Sequence, residues 1–274
     1  MNEQSQLGPT EFTALEPLFE RAALSVTELP AMLAKLYGGN LGFRSPVLYA
    51  NFVASVDGVV TLAGSDESGH LISGDSAADR FVMGLLRAFA DAILLGASTF
   101  RHAPGDLWHP DHVDPLRAVL YRELRAQLGL RAQPTLVLLT ASGVIDAKQP
   151  ALSDALIVTT PAGEARLRGE LPSGARIAVI DASTIRLSEV IALLRREGMR
   201  AVLTEGGPSL VAGLVAERLL DELFLTSSPA LFGRFRGDAR KSLSDGIDHT
   251  GTKLELLSVR RAQSHLFLRY GISR

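Results

Sequence analysis

The segment AVLTEGGPSL, Ala201 to Leu210, reads as a buried strand followed by a carboxylate, two glycines, a proline and a serine. Its strand portion shows no alternation of polar and apolar residues, the mark of a strand covered on both faces. Pro208 suits the first position of a following helix, because its missing N–H would have no partner there. Strand, sharp turn and helix form the repeating unit of an α/β fold, whose ligands bind outside the carboxyl ends of the strands. Glu205, Gly206 and Gly207 stand at that place. The free N–H groups of the helix's first turn, together with Ser209, suit an anion. Glycine at 206 and 207 removes side chains that would keep a phosphate or diphosphate away. The competing reading is a tight strand-to-helix turn and nothing more. No G-x-G-x-x-G follows the first strand and no Gly-Lys-Ser/Thr occurs, so neither a Rossmann fingerprint nor a Walker loop is present.

The same alternation extends outward from this corner. Apolar runs at Val47–Val56, Asp91–Gly96, Thr135–Thr140, Ala155–Thr160, Arg176–Asp181 and Leu220–Pro229 read as strands. Helical periodicity separates them at Asp79–Ala90, His112–Gly129, Pro161–Glu170, Ile185–Gly198 and Pro208–Leu219. Lys253–Ala262 and His265–Ile272 read as a closing antiparallel pair. Residues 46–274 are therefore expected to form one α/β domain with a central, mostly parallel sheet between helical layers. Residues 1–45 read as an N-terminal extension with one short helix in TELPAMLAKLYGG. Thr27 would cap that helix, Leu29, Met32, Leu33 and Leu36 would share a face, and Gly38 and Gly39 would stop it.

Composition narrows the function classes. A hydrophobic fraction of 46% supports a sizeable core. Lys and Arg number 28 against 30 Asp and Glu, for a net charge of −2, so no basic excess suits nucleic acid. No apolar run approaches the ~20 residues that span a bilayer, and no basic amphipathic helix suggests a membrane surface. The absence of cysteine excludes disulfides, thiolate catalysis and cysteine-held metals. The N-terminus lacks the basic start and apolar core of a signal peptide. A soluble cytoplasmic protein is expected.

Other segments carry candidate chemistry. NFVASVDG, Asn51–Gly58, places Ala54 and Ser55 beside a turn, with a type I′ Asp-Gly hairpin as the simpler reading. LLGASTF, Leu94–Phe100, ends a strand in small polar residues. Arg87 lies on a helix that is otherwise apolar on its inner face; it is either a solvated arginine or a clamp for a substrate phosphate. His102, His109 and His112 alternate with Asp106, Asp111 and Asp114, at a spacing too loose for a metal site. Asp114 reads as an N-cap ahead of Pro115, and Trp108 as an apolar cover over the site. Arg234, Arg236, Arg240 and Lys241 form a short basic run, solvated or turned toward a substrate phosphate.

A-S-x-D-G at Ala54–Gly58, S-G-H-L-I-S at Ser68–Ser73 and L-R-A at Leu86–Ala88 occur in this order. D-A-I-L-x-G-x-x-T at Asp91–Thr99, T-E-G-G-P-S-L at Thr204–Leu210 and L-x-D-E-L-x-L-T-x-x-P at Leu219–Pro229 complete the series. Together they resemble the pyrimidine reductase of riboflavin biosynthesis, the reductase half of the bifunctional deaminase–reductase, here as a stand-alone branch without the H-x-E…P-C-x-x-C of the zinc deaminase. The resemblance implies a dihydrofolate-reductase-like three-layer αβα fold, a homodimer, NADPH as hydride donor, and reduction of a phosphoribosylamino-uracil at its sugar C1′ through an imine. It further implies cofactor contacts from Ala54, Ser55, Thr99, Thr140, Ala141, Ser142, Gly206, Gly207, Pro208 and Ser209, substrate contacts from Ser68, Arg87 and Glu205, and Asp57 or Glu205 as proton source. The chain departs from the family at Asn51, where lysine is usual, and at Ala103, where aspartate is usual. Dihydrofolate or another pterin, a nucleotide-binding paralogue without turnover, and a nucleoside-phosphate lyase or deaminase on the same fold stay open.

Overall fold

The computed structural model describes residues 12–62, 68–181, 184–234, 237 and 239–273. Strands are β1 (Glu16–Glu20), β2 (Val47–Ser55), β3 (Ala92–Gly96), β4 (Thr135–Thr140), β5 (Leu156–Thr159), β6 (Arg176–Val179), β7 (Ala201–Thr204), β8 (Glu222–Ser228), β9 (Leu254–Ala262) and β10 (His265–Ile272). Helices are α1 (Ala31–Tyr37), α2 (Ser68–Ser73), α3 (Ala77–Phe89), α4 (Ala97–Arg101), α5 (Pro110–Val113), α6 (Ala118–Gln127), α7 (Pro161–Leu167), α8 (Leu187–Arg196) and α9 (Pro208–Ala216). One sheet orders the strands β1-β9-β10-β8-β2-β7-β3-β4-β5-β6. From β8 to β6 every pairing is parallel, and β10, β9 and β1 continue the sheet antiparallel.

The lack of alternation in the strands has a direct cause. Successive side chains point to opposite faces, and both faces are covered. Tyr49, Ile93 and Leu138 pack with Phe81, Leu85 and Tyr121 of α3 and α6 on one side. Their neighbours Leu48, Leu94 and Val137 pack with Val190 and Leu194 of α8 and Val211 and Leu214 of α9 on the other. The three-layer αβα arrangement and the closing antiparallel pair are as expected from the sequence.

Three local readings change. The helix expected over His112–Gly129 is broken into α5, a 3₁₀ turn at Pro115–Arg117 and α6. A residue before proline is pushed out of the helical region, and Asp114 sits at φ −137°, ψ 78°. Its carboxylate caps nothing. It accepts instead from Arg117 Nη1 at 3.0 Å and from the Tyr121 hydroxyl at 2.7 Å. In α1 the N-cap is Pro30, not Thr27, which forms a β-bridge with Leu41. Tyr37 is buried in the core while Met32 stands 49% exposed.

The N-terminal segment also holds β1, which no periodicity announces because all five of its residues are exposed. Two buried arginines from the closing strands grip this segment. Arg260 Nε donates to Tyr37 O at 2.9 Å, its guanidinium lies 4.0 Å from the Tyr37 ring centroid, and it pairs with Glu20. Arg269 Nη2 donates to Gly42 O at 2.8 Å and its Nε to Glu222 at 2.7 Å. Phe43 stacks on Tyr49 at 4.5 Å.

Gly84 shows how closely α3 and α6 approach. A Cβ there would lie 2.7 Å from the hydroxyl and Cζ of Tyr121, whose ring is held by Asp114 and by Phe81 O. Alanine normally improves a helix by about 1 kcal/mol over glycine. Here overpacking of about 1–3 kcal/mol opposes it, so Gly84→Ala is expected to lower stability in a urea melt rather than raise it.

Candidate active site

The β7 exit places Glu205 beneath α3. Arg87 Nε donates to both Glu205 oxygens at 3.1 Å and Nη2 to Oε2 at 2.7 Å. Nη1 and Nη2 also reach Asp106 at 3.4 and 3.2 Å, and Nη1 reaches His109 O at 3.4 Å. Arg87 is 2% exposed, and all three of its nitrogens are engaged. With its nitrogens so engaged, it is neither solvated nor open to a substrate phosphate, the two readings the sequence offered. It is a buried counter-ion joining α3, the β7 exit and the loop after α4. The Arg87 guanidinium holds the Asp106 carboxyl below the usual carboxylate range against a burial effect that works the other way. Burial raises the Glu205 carboxyl despite Arg87. The Glu205 side chain is 9% exposed. With a guanidinium that keeps its proton bound across its oxygens, it is an anchored acceptor and a poor proton donor.

Past Glu205 the two glycines divide. A Cβ on Gly206 would meet Leu210 Cδ2 at 2.5 Å and Thr204 Oγ1 at 3.2 Å, so this glycine faces its own helix. A Cβ on Gly207 would meet Thr99 Oγ1 at 3.2 Å. Gly207 thus lines a narrow gap shared with α4, and it brings Thr99 to the start of α9. Gly207 is the N-cap without a side-chain bond, and Pro208 follows at the first position. The first-turn N–H groups of α9 therefore lack a side-chain acceptor. Ser209 is exposed beside them.

At the neighbouring strand ends the chain is tightly stitched. Gly143 N donates to Thr140 Oγ1 at 3.1 Å, Thr159 Oγ1 to Thr140 O at 2.6 Å, and Thr160 Oγ1 to Ala141 O at 2.7 Å. Arg166 grips Ser142 O. This leaves Ala141 and Ser142 exposed on a fixed loop. The threonines at 159 and 160 were not singled out in the sequence; two hydroxyls at a strand end ahead of Pro161 are the signal that marks them.

Ala54 and Ser55 end β2 as buried residues. Because β2 runs parallel to both neighbours, Asp57-Gly58 is not a hairpin turn. Ser55 Oγ donates to Asp57 Oδ1 at 2.6 Å, and Gly233 N donates to Asp57 Oδ2 at 2.6 Å. The Ser55 hydroxyl, then the Phe232 and Gly233 amides, hold Asp57 below the usual aspartate value. Asp57 is a clamp between two loops and, being ionised at neutral pH, has no proton to give. Ser68 Oγ accepts from Leu62 N at 3.0 Å, so it closes its own loop.

Trp108 is a core residue rather than a cover. It is buried and stacks on Phe100 at 5.5 Å. Arg240 folds over Phe232 O and Gly233 O at 3.0 Å, and Lys241 pairs with Asp245; Arg236 lies outside the described residues. An open hollow lined by Val215, Arg218, Asp248 and Lys253 lies where β8 begins, apart from the strand ends described above. Among the described residues no group of three or more metal-ligating side chains converges, and no helix is long and apolar enough to cross a membrane.

This geometry has relatives. A 2,5-diamino-6-ribosylamino-4(3H)-pyrimidinone 5′-phosphate reductase from Archaeoglobus fulgidus is 27% identical over 192 residues, which is 69% of this chain and 82% of the relative. A pyrimidine reductase-like protein from Corynebacterium diphtheriae superposes with a TM-score of 0.66 at 25% identity, over 84% of this chain and 92% of that one. RibD from Acinetobacter baumannii superposes with a TM-score of 0.65 at 18% identity, over 84% of this chain and 59% of that one, a likeness of fold. The family described as the RibD C-terminal domain matches residues 46–268, and to that family this chain belongs.

Proposed function

We propose that this chain is an NADPH-dependent reductase of a ribosylated aminopyrimidine phosphate, acting in riboflavin biosynthesis as a cytoplasmic homodimer, with residues 46–274 as its catalytic domain and residues 1–45 as an extension to it. The observation that carries the proposal is the gap between Gly207 and Thr99 at the uncapped start of α9. There no side chain caps the helix, and the bare Gly207 backbone comes so close to Thr99 that an added Cβ would stand 3.2 Å from Thr99 Oγ1. A diphosphate fits that chemistry of bare amides and one hydroxyl.

When bound, the reduced nicotinamide supplies the hydride. The chain's own part is binding and orientation. Gly207, Pro208 and Ser209 with Thr99 hold the diphosphate, and the fixed loop of Thr140, Ala141 and Ser142 meets the adenosine ribose. Ala54 and Ser55 form the wall beside the nicotinamide. Gly206 serves this site indirectly, by letting α9 start tight against Leu210. Glu205, immobilised by Arg87, offers an acceptor to a ring N–H of the pyrimidine. The homologous activity of the Archaeoglobus fulgidus relative supports a pyrimidine over a pterin.

Fluorescence titration with NADPH and NADH tests the cofactor, and absence of binding to either overturns the reading. Turnover of 2,5-diamino-6-ribosylamino-4(3H)-pyrimidinone 5′-phosphate in preference to dihydrofolate tests the substrate. NADPH binding with no turnover of any pyrimidine or pterin would favour a nucleotide-binding paralogue.

The two glycines should separate in the same titration. Gly207→Val is expected to weaken NADPH about tenfold or more, where tenfold is about 1.4 kcal/mol, with a smaller loss of melting temperature than Gly206→Val, since its φ of −66° suits any residue and only Thr99 Oγ1 has to give way. Gly206→Val must displace Leu210 and is expected to cost about 1–3 kcal/mol of stability.

A further inference from the structure

The loop that leaves β4 gives up its carbonyls to side chains of neighbouring segments. Thr159 Oγ1 of β5 donates to Thr140 O at 2.6 Å, and Thr160 Oγ1 to Ala141 O at 2.7 Å. Arg166 of α7 donates to Ser142 O, and Arg101 of α4 to Val144 O at 3.2 Å. Thr159 and Thr160 are 0% and 6% exposed, so two buried hydroxyls are committed to the path of this loop. A trans peptide is planar and points its N–H opposite to its C=O. With the carbonyls of Thr140 and Ala141 turned to Thr159 and Thr160, the N–H groups of Ala141 and Ser142 are turned away from them. Both residues are exposed. Ser142 Oγ accepts from Val144 N at 3.3 Å, which leaves the hydroxyl proton for another acceptor. The loop has no room to retreat: Gly143, at φ 69°, lies so close to α7 that a Cβ there would stand 2.5 Å from Gly163 O.

Arg101 and Arg166 thus come from two different helices to carbonyls two residues apart, at most about 7 Å of chain. Each spends Nη1 on the loop, and a guanidinium carries five N–H groups. Among the described residues neither is paired with a carboxylate. A carbonyl fixes the position of a guanidinium without cancelling its charge. The pair therefore offers two held positive charges, with the Ser142 hydroxyl on the same three-residue segment.

The place of this pair along the sheet says which anion it suits. Residues two apart on a helix do not share a side. On α4, Thr99 faces Gly207 at the β7 corner and Arg101 faces the β4 loop. β3 stands between β7 and β4, so the two places are two strand spacings apart, about 10 Å. That separation suits a ribose joining a diphosphate at one place to a phosphomonoester at the other. We propose that Arg101 and Arg166, with the Ser142 hydroxyl, take the 2′-phosphate of NADPH and set the preference for the phosphorylated nicotinamide nucleotide over NADH. This rests on the reductase reading above and deepens it. The 2′-phosphate presents three acceptor oxygens and a charge near −2, and planar guanidinium matches it better than an ammonium would.

Fluorescence titrations of the full chain with NADPH and NADH decide the matter. Arg101→Gln and Arg166→Gln each keep a donor for the loop carbonyl and lose the charge. Each is expected to raise the NADPH Kd about tenfold and to leave the NADH Kd within about twofold of wild type. The double variant should lose most of the wild-type preference. On the wild type alone, adenosine 2′,5′-bisphosphate should displace NADPH at lower concentration than AMP does, and its advantage should shrink as salt rises. An equal weakening of NADPH and NADH would mean that the arginines only brace the loop. That result, an unchanged NADPH Kd in the double variant, or a wild type that prefers neither nucleotide nor the bisphosphate overturns the inference while leaving the reductase standing. A wild type that binds neither NADPH nor NADH overturns the reductase reading, and this assignment with it.

Discussion

A guanidinium at 2% exposure stays inside a protein only if opposite charge and acceptors meet it from every side. Arg87 meets that condition by drawing in Glu205 from the β7 exit and Asp106 from the loop after α4. Three segments distant in sequence are thereby fixed to one point. The orientation of Glu205 follows, because a carboxylate held across Nε and Nη2 cannot swing toward a ligand. The path of the loop follows too: Asp106 Oδ1 also accepts from Trp108 N at 2.7 Å, which turns Trp108 into the core at a positive φ of 53°. Two carboxylates around one guanidinium leave the floor of the site net negative, which suits a ligand offering N–H groups there.

Arginine does similar work elsewhere in the molecule. Arg125 Nη1 donates to Arg87 O, Ala88 O and Ala90 O, so it closes the carboxyl end of α3, where the helix leaves carbonyls without partners. Arg260 and Arg269 do the same for Tyr37 O and Gly42 O and attach the N-terminal segment to the sheet. In each case a side chain counted as surface charge from composition is spent on carbonyls at the edges of elements. Planar, multiply donating guanidinium serves this better than a lysine ammonium, which offers a point charge on a flexible stem.

The architecture was legible because burial on both sheet faces writes itself into unbroken apolar runs, and because Pro161 and Pro208 mark helix starts. What stayed hidden was decided by partners far along the chain. β1 is an exposed edge whose only instruction is the strand it joins, β9. The break before α6 comes from one proline inside an otherwise helical pattern, which periodicity averages away. Arg87 was visible as an oddity on an apolar helix, but its meaning depended on Asp106, nineteen residues on, and Glu205, much farther away. The sequence could not say that both carboxylates would arrive, and without them a ligand phosphate was the natural partner to imagine.

Gly206 and Gly207 make the same point at the smallest scale. They are adjacent, chemically identical, and were read together as bare backbone for a phosphate. The chain rotates between them, so that one is pressed on Leu210 and Thr204 while the other looks across to Thr99. Only the second borders the gap. A pair of small residues at a strand exit therefore states two separate constraints. One belongs to the packing that lets α9 begin so close to β7, and the other to whatever enters beside Thr99. The packing constraint comes first: unless α9 starts tightly, its first turn does not stand at the rim of the sheet.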